Sequence, residues 1–285
     1  MCRLFGLSAG HGQARAKFWL ITAPDSMADE GRRNPDGAGI GWFDGDATPH
    51  LQKQAGPAPQ DRGFLSDAAT VTASTMVTHV RDATAGSRDV RNTHPFLVDG
   101  LLVAHNGGFG DLDVVDAHLG DYLHLVQGET DSERYAALIA KEAAAHDGDV
   151  AAGIVAAATW LSRNVPMYSL NTVVIKGGRL WALRYPDERA LHLARRVVHP
   201  TTGTPDDGWS GSSAVARHQV AAGAELPIVV VASERIDDKD DWRMLQPGEL
   251  LAVDEELTIT STLAITSPPA HLLHLAGHDP NDEAF

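Results

Sequence analysis

The chain has one cysteine, Cys2, among 285 residues. A single thiol excludes an internal disulfide framework and fits a reducing, cytoplasmic compartment. Positive charge is also short. Lys and Arg number 23 against 38 Asp and Glu, which leaves a formal net charge of −15 and a pI near 5.2. Such a chain repels nucleic acid and anionic membrane surfaces, so neither is expected as a partner. No apolar run approaches the roughly 18 residues of a membrane span. The first residues lack a charged segment followed by an apolar stretch, so no signal peptide is expected. There is no internal repeat, and no Gly-Lys-Ser/Thr loop with which to activate an acceptor through a nucleotide.

What is present is enough apolar material, 43% of the chain, for one large globular domain or two small ones. Segments 3–8, 38–44, 76–81 and 101–105 read as strands, and in the third His79 and Arg81 share a face. Segment 14–22 reads as a short helix ended by Pro24. Segment 170–185 is a hairpin turning at Gly177 and Gly178, and 227–233, 249–254 and 257–262 are further strands. Two helices are expected between them. One starts near Asp131, with Tyr135, Leu138 and Ile139 at helical spacing; the other covers about 149–163, with Ile154, Ala158 and Leu161 on one stripe. Strands in groups with a block of helices between them favour layered antiparallel sheets over a doubly wound parallel one. Segment 201–213 reads as a loop. No domain boundary stands out, so residues 2–265 are read as one domain and 266–285 as a C-terminal tail.

Position 2 gives the cysteine its interest. Removal of Met1 would leave a thiol and a free α-amine on one residue, which makes a nucleophile and base together. An α-amine titrates at about 7.7–8.0, so part of it is neutral at neutral pH. On position alone, a small buried hydrophobe is the commoner role for a lone cysteine.

The chain then offers Met1-Cys2-Arg3-Leu4-Phe5-Gly6, Arg33-Asn34-Pro35-Asp36-Gly37, His79-Val80-Arg81, Asn92-Thr93-His94-Pro95-Phe96, Ala104-His105-Asn106-Gly107 and Gly128-Glu129-Thr130-Asp131-Ser132-Glu133. Downstream come Val230-Val231-Ala232-Ser233-Glu234 and Pro247-Gly248-Glu249-Leu250-Leu251. In this order they resemble the class II glutamine amidotransferases, a family of N-terminal nucleophile hydrolases, and most of all its small stand-alone members without a synthase domain. The resemblance implies an α/β (α+β) fold of four layers, αββα, with two antiparallel sheets between helices.

It also implies roles. Cys2 would be the nucleophile, with its own α-amine as base and then acid. The Asn106 side chain and the Gly107 N–H would form the oxyanion hole. Arg81 would clamp the substrate α-carboxylate, with Thr84 beside it, and Asp131 would take the α-ammonium. Taken singly, Arg81 could be an ordinary strand arginine, Asn106-Gly107 a hairpin turn, and Thr130 to Glu133 a helix capping box. His79, His94 and His105 are expected to brace the site through hydrogen bonds. His271, His274 and His278 are spaced like ligands, but no cysteine or carboxylate pattern joins them, so no metal is expected. Asn34 to Gly37 is turn chemistry that would shape the pocket, and the acidic run from Asp237 to Asp241 reads as a solvated loop. Two positions depart from the family pattern: Asp82 stands where many relatives have an aromatic, and Ala85 where many have Thr or His.

The implied reaction is thiol attack on a γ-glutamyl amide, a thioester, and its hydrolysis, with no metal or organic cofactor. The substrate is then glutamine or another small γ-glutamyl compound. An ammonia-supplying glutaminase would need a partner synthase; a hydrolase of a larger γ-glutamyl compound, like the amidohydrolases of ergothioneine biosynthesis, would not. A non-enzymatic glutamine-binding module is the third reading, and a homo-oligomer stays open.

Overall fold

The computed structural model describes residues 2–45, 47–83, 86–199, 225–237 and 239–273. The chain begins with β1 (Arg3–Ser8), α1 (Met27–Arg33), β2 (Gly37–Phe43), β3 (Pro49–Gln54), α2 (Arg62–Thr70), β4 (Thr75–Arg81), β5 (Phe96–Val98) and β6 (Leu101–Phe109). It continues with α3 (Leu112–Leu119), α4 (Asp131–Ala145), α5 (Val150–Asn164), β7 (Met167–Lys176), β8 (Arg179–Arg184) and β9 (His192–Val198). The last strands are β10 (Leu226–Ala232), β11 (Arg243–Met244), β12 (Glu249–Val253) and β13 (Ile259–Leu263). One sheet has the order β11-β9-β10-β1-β4-β2-β3 and the other β13-β12-β8-β7-β6-β5, and all their pairings are antiparallel.

Side-chain alternation along the strands builds the layers. In β1, Phe5 and Leu7 face outward, to Trp19, to Met27 of α1 and to Phe64 of α2. Leu4 faces inward with Val77, Val229 and Val231, against Leu102, Val173, Ile175 and Leu251 of the second sheet. Beyond that sheet, Trp181 and Leu183 of β8 pack with Tyr135, Leu138 and Ile139 of α4 and Ile154, Ala158 and Leu161 of α5. The result is the expected four layers, helix–sheet–sheet–helix, with two antiparallel sheets at the centre.

Local chemistry accounts for the long helices. Thr130 caps α4, its side chain accepting from the Glu133 N–H at 3.3 Å, while the Glu133 carboxylate turns back to the Gly128 N–H at 2.6 Å. Asp149 caps α5 through the Ala152 N–H at 3.1 Å.

Three expectations need correction. Segment 14–22 is not one short helix. Ala14 exchanges both backbone hydrogen bonds with Ala73, at 2.9 and 3.0 Å, so its start is an extended bridge and only Phe18–Thr22 coils, as a single π turn. Asn106 and Gly107 are not a turn: they lie within β6, opposite Asn171 and Leu170. The third concerns the acidic run. The Asp237 side chain is covered rather than solvated, its carboxylate taking two hydrogen bonds from Arg196 of β9, both 2.8 Å, whereas Asp240 and Asp241 are exposed as expected. The Arg196 guanidinium also reaches Asp241 at 3.0 Å and sits 5.0 Å from the Trp242 ring centroid.

Removing one partner of such a buried pair strands the other charge. Arg196→Met is expected to cost about 3–5 kcal/mol of unfolding free energy in a urea melt, and Arg196→Met with Asp237→Leu to recover much of it. A single variant within about 1 kcal/mol of wild type would show that the pair does not anchor this loop.

Candidate active site

Alternation puts Cys2 on the same face of its sheet as Leu4, toward the second sheet. β1 is paired on both sides, with Arg3 opposite Val80 of β4 and Phe5 opposite Ala232 of β10, so the residue before it has little freedom. The half-buried Cys2 thiol lies against the backbone just past β4: Sγ is 3.2 Å from the Asp82 N–H donor and 3.3 Å from the Asp82 carbonyl. Across the interlayer, the Asn106 side-chain amide donates to the Cys2 carbonyl at 2.9 Å. Burial pushes the thiol above its ordinary value. The Asp82 backbone hydrogen bond works against this, the Asp82 charge adds to it, and the Arg81 charge opposes it.

Arg3 points to the opposite face of β1 from the thiol and is held there by charge. Its Nε lies 3.2 Å from Glu30 of α1, and its guanidinium also pairs with Glu234, just beyond β10. The buried Arg81 points into the interlayer from the end of β4 and donates to the Ser87 carbonyl at 3.1 Å and the Gly86 carbonyl at 3.5 Å. The segment carrying those carbonyls is itself tied down. Glu129 accepts from the Ser87 N–H (3.0 Å), the Ser87 hydroxyl (2.8 Å) and the Asn92 amide (3.0 Å), and those bonds lower its carboxyl pKa. From the other side, Asp36 accepts the Ala83 N–H at 2.8 Å and pairs with Arg88. The Asn34–Gly37 turn thus ties down the segment after Arg81 through Asp36. Thr84 and Ala85 lie outside the described residues.

Asp131 opens α4 and accepts the Phe109 N–H at 3.1 Å, which docks the helix start on the end of β6. Gly107 has no room for a side chain: a Cβ there would sit 1.9 Å from the Ser169 carbonyl oxygen and 2.4 Å from His105 Nε2. Cys2 and Asn106 are therefore in direct contact, with Gly107 next in β6, while Arg81 ends β4 and Asp131 begins α4.

Behind this face lie three buried histidines. His105 Nε2 is 3.1 Å from the Ser169 carbonyl, which can only accept, so that nitrogen carries the proton and Nδ1 accepts from Ser132 Oγ at 3.0 Å. His79 and His94 instead meet ring to ring, centroids 4.1 Å apart, with Phe96 at the edge of His94. The expected hydrogen-bonded bracing is seen at His105; the other two brace through packing. Burial, with the charges of His105 and Arg81, holds His79 down at about 3. Burial and the neighbouring His79 and His105 hold His94 well below its ordinary value, and burial lowers His105 against the opposing pull of Asp131.

Two residues near the thiol carried no signal in the sequence. Tyr168 precedes Ser169 in β7, and Arg189 lies in the loop after β8 with its guanidinium 5.8 Å from the Tyr168 ring centroid. Among the described residues, no group of His, Cys, Asp and Glu could hold a metal ion, and no helix is long and apolar enough to cross a membrane. His271 contributes its backbone carbonyl to the Met167 N–H at 3.0 Å, while His274 and His278 lie outside the described residues.

The chain belongs to the class II glutamine amidotransferases, whose family model matches residues 1–271. It is 29% identical over 233 residues to the γ-glutamyl-hercynylcysteine sulfoxide hydrolase of Mycobacterium tuberculosis, an alignment covering 81% of each chain. It is 35% identical over 122 residues to the probable glutamine amidotransferase DUG3 of Saccharomyces cerevisiae, covering 38% of this chain and only 34% of that protein. In fold it matches the glutamine phosphoribosylpyrophosphate amidotransferase of B. subtilis with a TM-score of 0.64 at 20% identity, spanning 94% of this chain and 50% of that enzyme. A class II domain protein from Silicibacter pomeroyi matches at 0.59 and 19% identity, over 92% of this chain and 98% of that one.

The histidine cluster predicts acid sensitivity. An unfolded histidine titrates near 6.5, about three units above folded His79, so below about pH 6.5 the unfolded chain binds protons that the fold excludes. Stability is full above about pH 6.5 and falls as pH drops, by about 1.4 kcal/mol per pH unit for each such ring. Urea melts between about pH 7 and pH 5 should register this loss, and His79→Phe should reduce the slope by about one proton. A flat profile in wild type would mean that the rings take up protons in the fold.

Proposed function

We propose that this protein cleaves γ-glutamyl amides through a Cys2 thioester. The reading rests above all on the junction of the two sheets, where the Cys2 thiol meets the Asp82 backbone and its carbonyl meets the Asn106 amide. With Met1 removed, the Cys2 α-amine takes the thiol proton as sulfur adds to the γ-carbon. The oxyanion forms near the Asn106 side chain and the Gly107 N–H, donors that act strongly in a site screened from water. The C–N bond then breaks, the proton passes to the departing nitrogen, and a γ-glutamyl thioester remains. Water, deprotonated by the same amine, adds to the thioester, glutamate departs and the thiol is restored. Arg81 and Asp131 suit the α-carboxylate and α-ammonium of the glutamyl group.

The amine that leaves is ammonia if glutamine is the substrate, with a separate synthase to consume it. A hydrolase of a larger γ-glutamyl compound, acting alone, is favoured by one observation: the alignment with the γ-glutamyl-hercynylcysteine sulfoxide hydrolase spans 81% of both chains.

Intact mass before and after treatment with a diazo-ketone analogue of glutamine tests the nucleophile. Loss of Met1 and one covalent adduct is expected; Met1 retained in active protein would sink the mechanism. In steady-state assays Cys2→Ala should lower kcat by about 10⁴-fold or more. Asn106→Ala should lower kcat by about 10²–10³-fold with little change in KM, and Arg81→Lys should chiefly raise KM. Normal turnover by the Cys2 variant would exclude the thioester, and binding without turnover in wild type would leave a glutamine-binding module.

A further inference from the structure

The register of β6 and β7 slips by one residue beside the thiol. Gly108 pairs with Ser169 and Phe109 with Met167, so Tyr168 is the extra residue of a bulge. Met167 and Ser169 are buried, whereas Tyr168 is half-buried and turned to another side. Its ring lies on Gly108: a Cβ there would be 2.6 Å from the ring edge and 3.5 Å from the Asp131 carboxylate. Tyr168 thus shares a wall with the residue assigned to the glutamyl α-ammonium. Burial raises the Tyr168 hydroxyl, and the charges of Cys2, Arg189, Asp131 and Asp82 all act on it, as expected of a group facing the same space as the thiol.

Arg189 stands on this platform, its guanidinium 5.8 Å from the Tyr168 centroid. Its backbone is pinned: the Arg189 carbonyl accepts from Arg184 Nε at 2.7 Å and from the Asn171 amide at 3.1 Å. Asn171 is the direct β-partner of Asn106, so the segment bearing Arg189 is fixed to the strand pair that carries the oxyanion donor. The half-buried guanidinium is a second cation near Cys2, apart from Arg81, in a chain of net charge −15.

We infer that Tyr168 and Arg189 form a subsite for the departing amine, and that this amine carries a carboxylate, as in a γ-glutamyl amino acid or γ-glutamyl peptide. The inference rests on the thioester reading above. Arg81 and Asp131 already account for the two charges of the glutamyl head, so a further cation near the nucleophile faces what is attached to the γ-nitrogen. Ammonia offers nothing for a guanidinium fork to bind. An α-amino acid offers a carboxylate two bonds from the scissile nitrogen, and that matches the fork. The Tyr168 ring supplies a flat apolar face for the rest of the amine and holds the cation in place. Arg189 is a specificity-determining residue; the bond-breaking step stays with Cys2.

The test compares γ-glutamylglycine with γ-glutamylglycinamide, which differ only by carboxylate against carboxamide. Wild-type protein should favour the carboxylate by about 10- to 100-fold in kcat/KM, mainly through KM, the range for a charge-assisted hydrogen bond. The preference should shrink to within about threefold in Arg189→Ala and be intermediate in Arg189→Lys, which keeps the charge but not the fork. No preference in wild type, or the same preference in Arg189→Ala, would overturn the subsite; a general loss of activity leaves the ratio unchanged and so counts against it. If Met1-processed wild type turns over neither compound nor glutamine, the thioester reading itself fails.

Discussion

The main-chain ladder on both sides of β1 is the constraint on which the rest depends. A terminal residue is ordinarily among the least ordered in a domain. Here the strand after Cys2 is locked between β4 and β10, deep in a seven-stranded sheet. That position fixes the direction of the thiol, because side chains alternate across a strand and a slip of one residue would turn Cys2 toward the outer helices. The same ladder sets Leu4 opposite His79 and brings the end of β4 to the thiol, so nucleophile and Arg81 share one origin. The second sheet then brings Asn106 across the interlayer to the Cys2 carbonyl.

Much of this was legible because it is local. The strands of the first sheet's centre, the 170–185 hairpin, the Thr130 capping box and the helices after Asp131 and Asp149 follow from alternation, Gly-Gly punctuation and caps. The six ordered motifs were legible as a resemblance, and they converge on one end of the two sheets. What was hidden depends on distant partners. Asp237 looks solvated among acidic neighbours until Arg196, forty-one positions earlier, is placed against it. Asn106-Gly107 carries the local signature of a turn, but β7 recruits it into a ladder, and tertiary pairing overrides the propensity. α1, α2 and α3 are short, seven to nine residues, too short for a periodic stripe to stand out. The bulge at Tyr168 is invisible in one strand alone, because it exists only as a mismatch in count between two.

The electrostatics of the site follow from what is kept neutral as much as from what is charged. Three imidazoles lie behind the reactive face, and burial keeps all three uncharged near neutral pH. Were they protonated, Arg81 would be one cation among several, and the region could not discriminate a carboxylate at one end from an ammonium at the other. With the rings neutral, Arg81 and Asp131 would act as the opposite charges that the proposed reading needs. Burial also raises the Cys2 thiol above its ordinary value, which would suit the proposed route, in which an amine on the same residue takes its proton.

The proposed subsite would separate two recognition tasks that a glutaminase can merge. For glutamine, all binding energy must come from the glutamyl head, because the leaving group is ammonia. For a γ-glutamyl amino acid, contacts to the departing amine can be made in the ground state and lost once the C–N bond breaks, which helps the product leave before water enters. The proposed wall of Tyr168 and Arg189 would serve such discrimination, since the Arg189 carbonyl is held by Asn171 on the strand paired with Asn106.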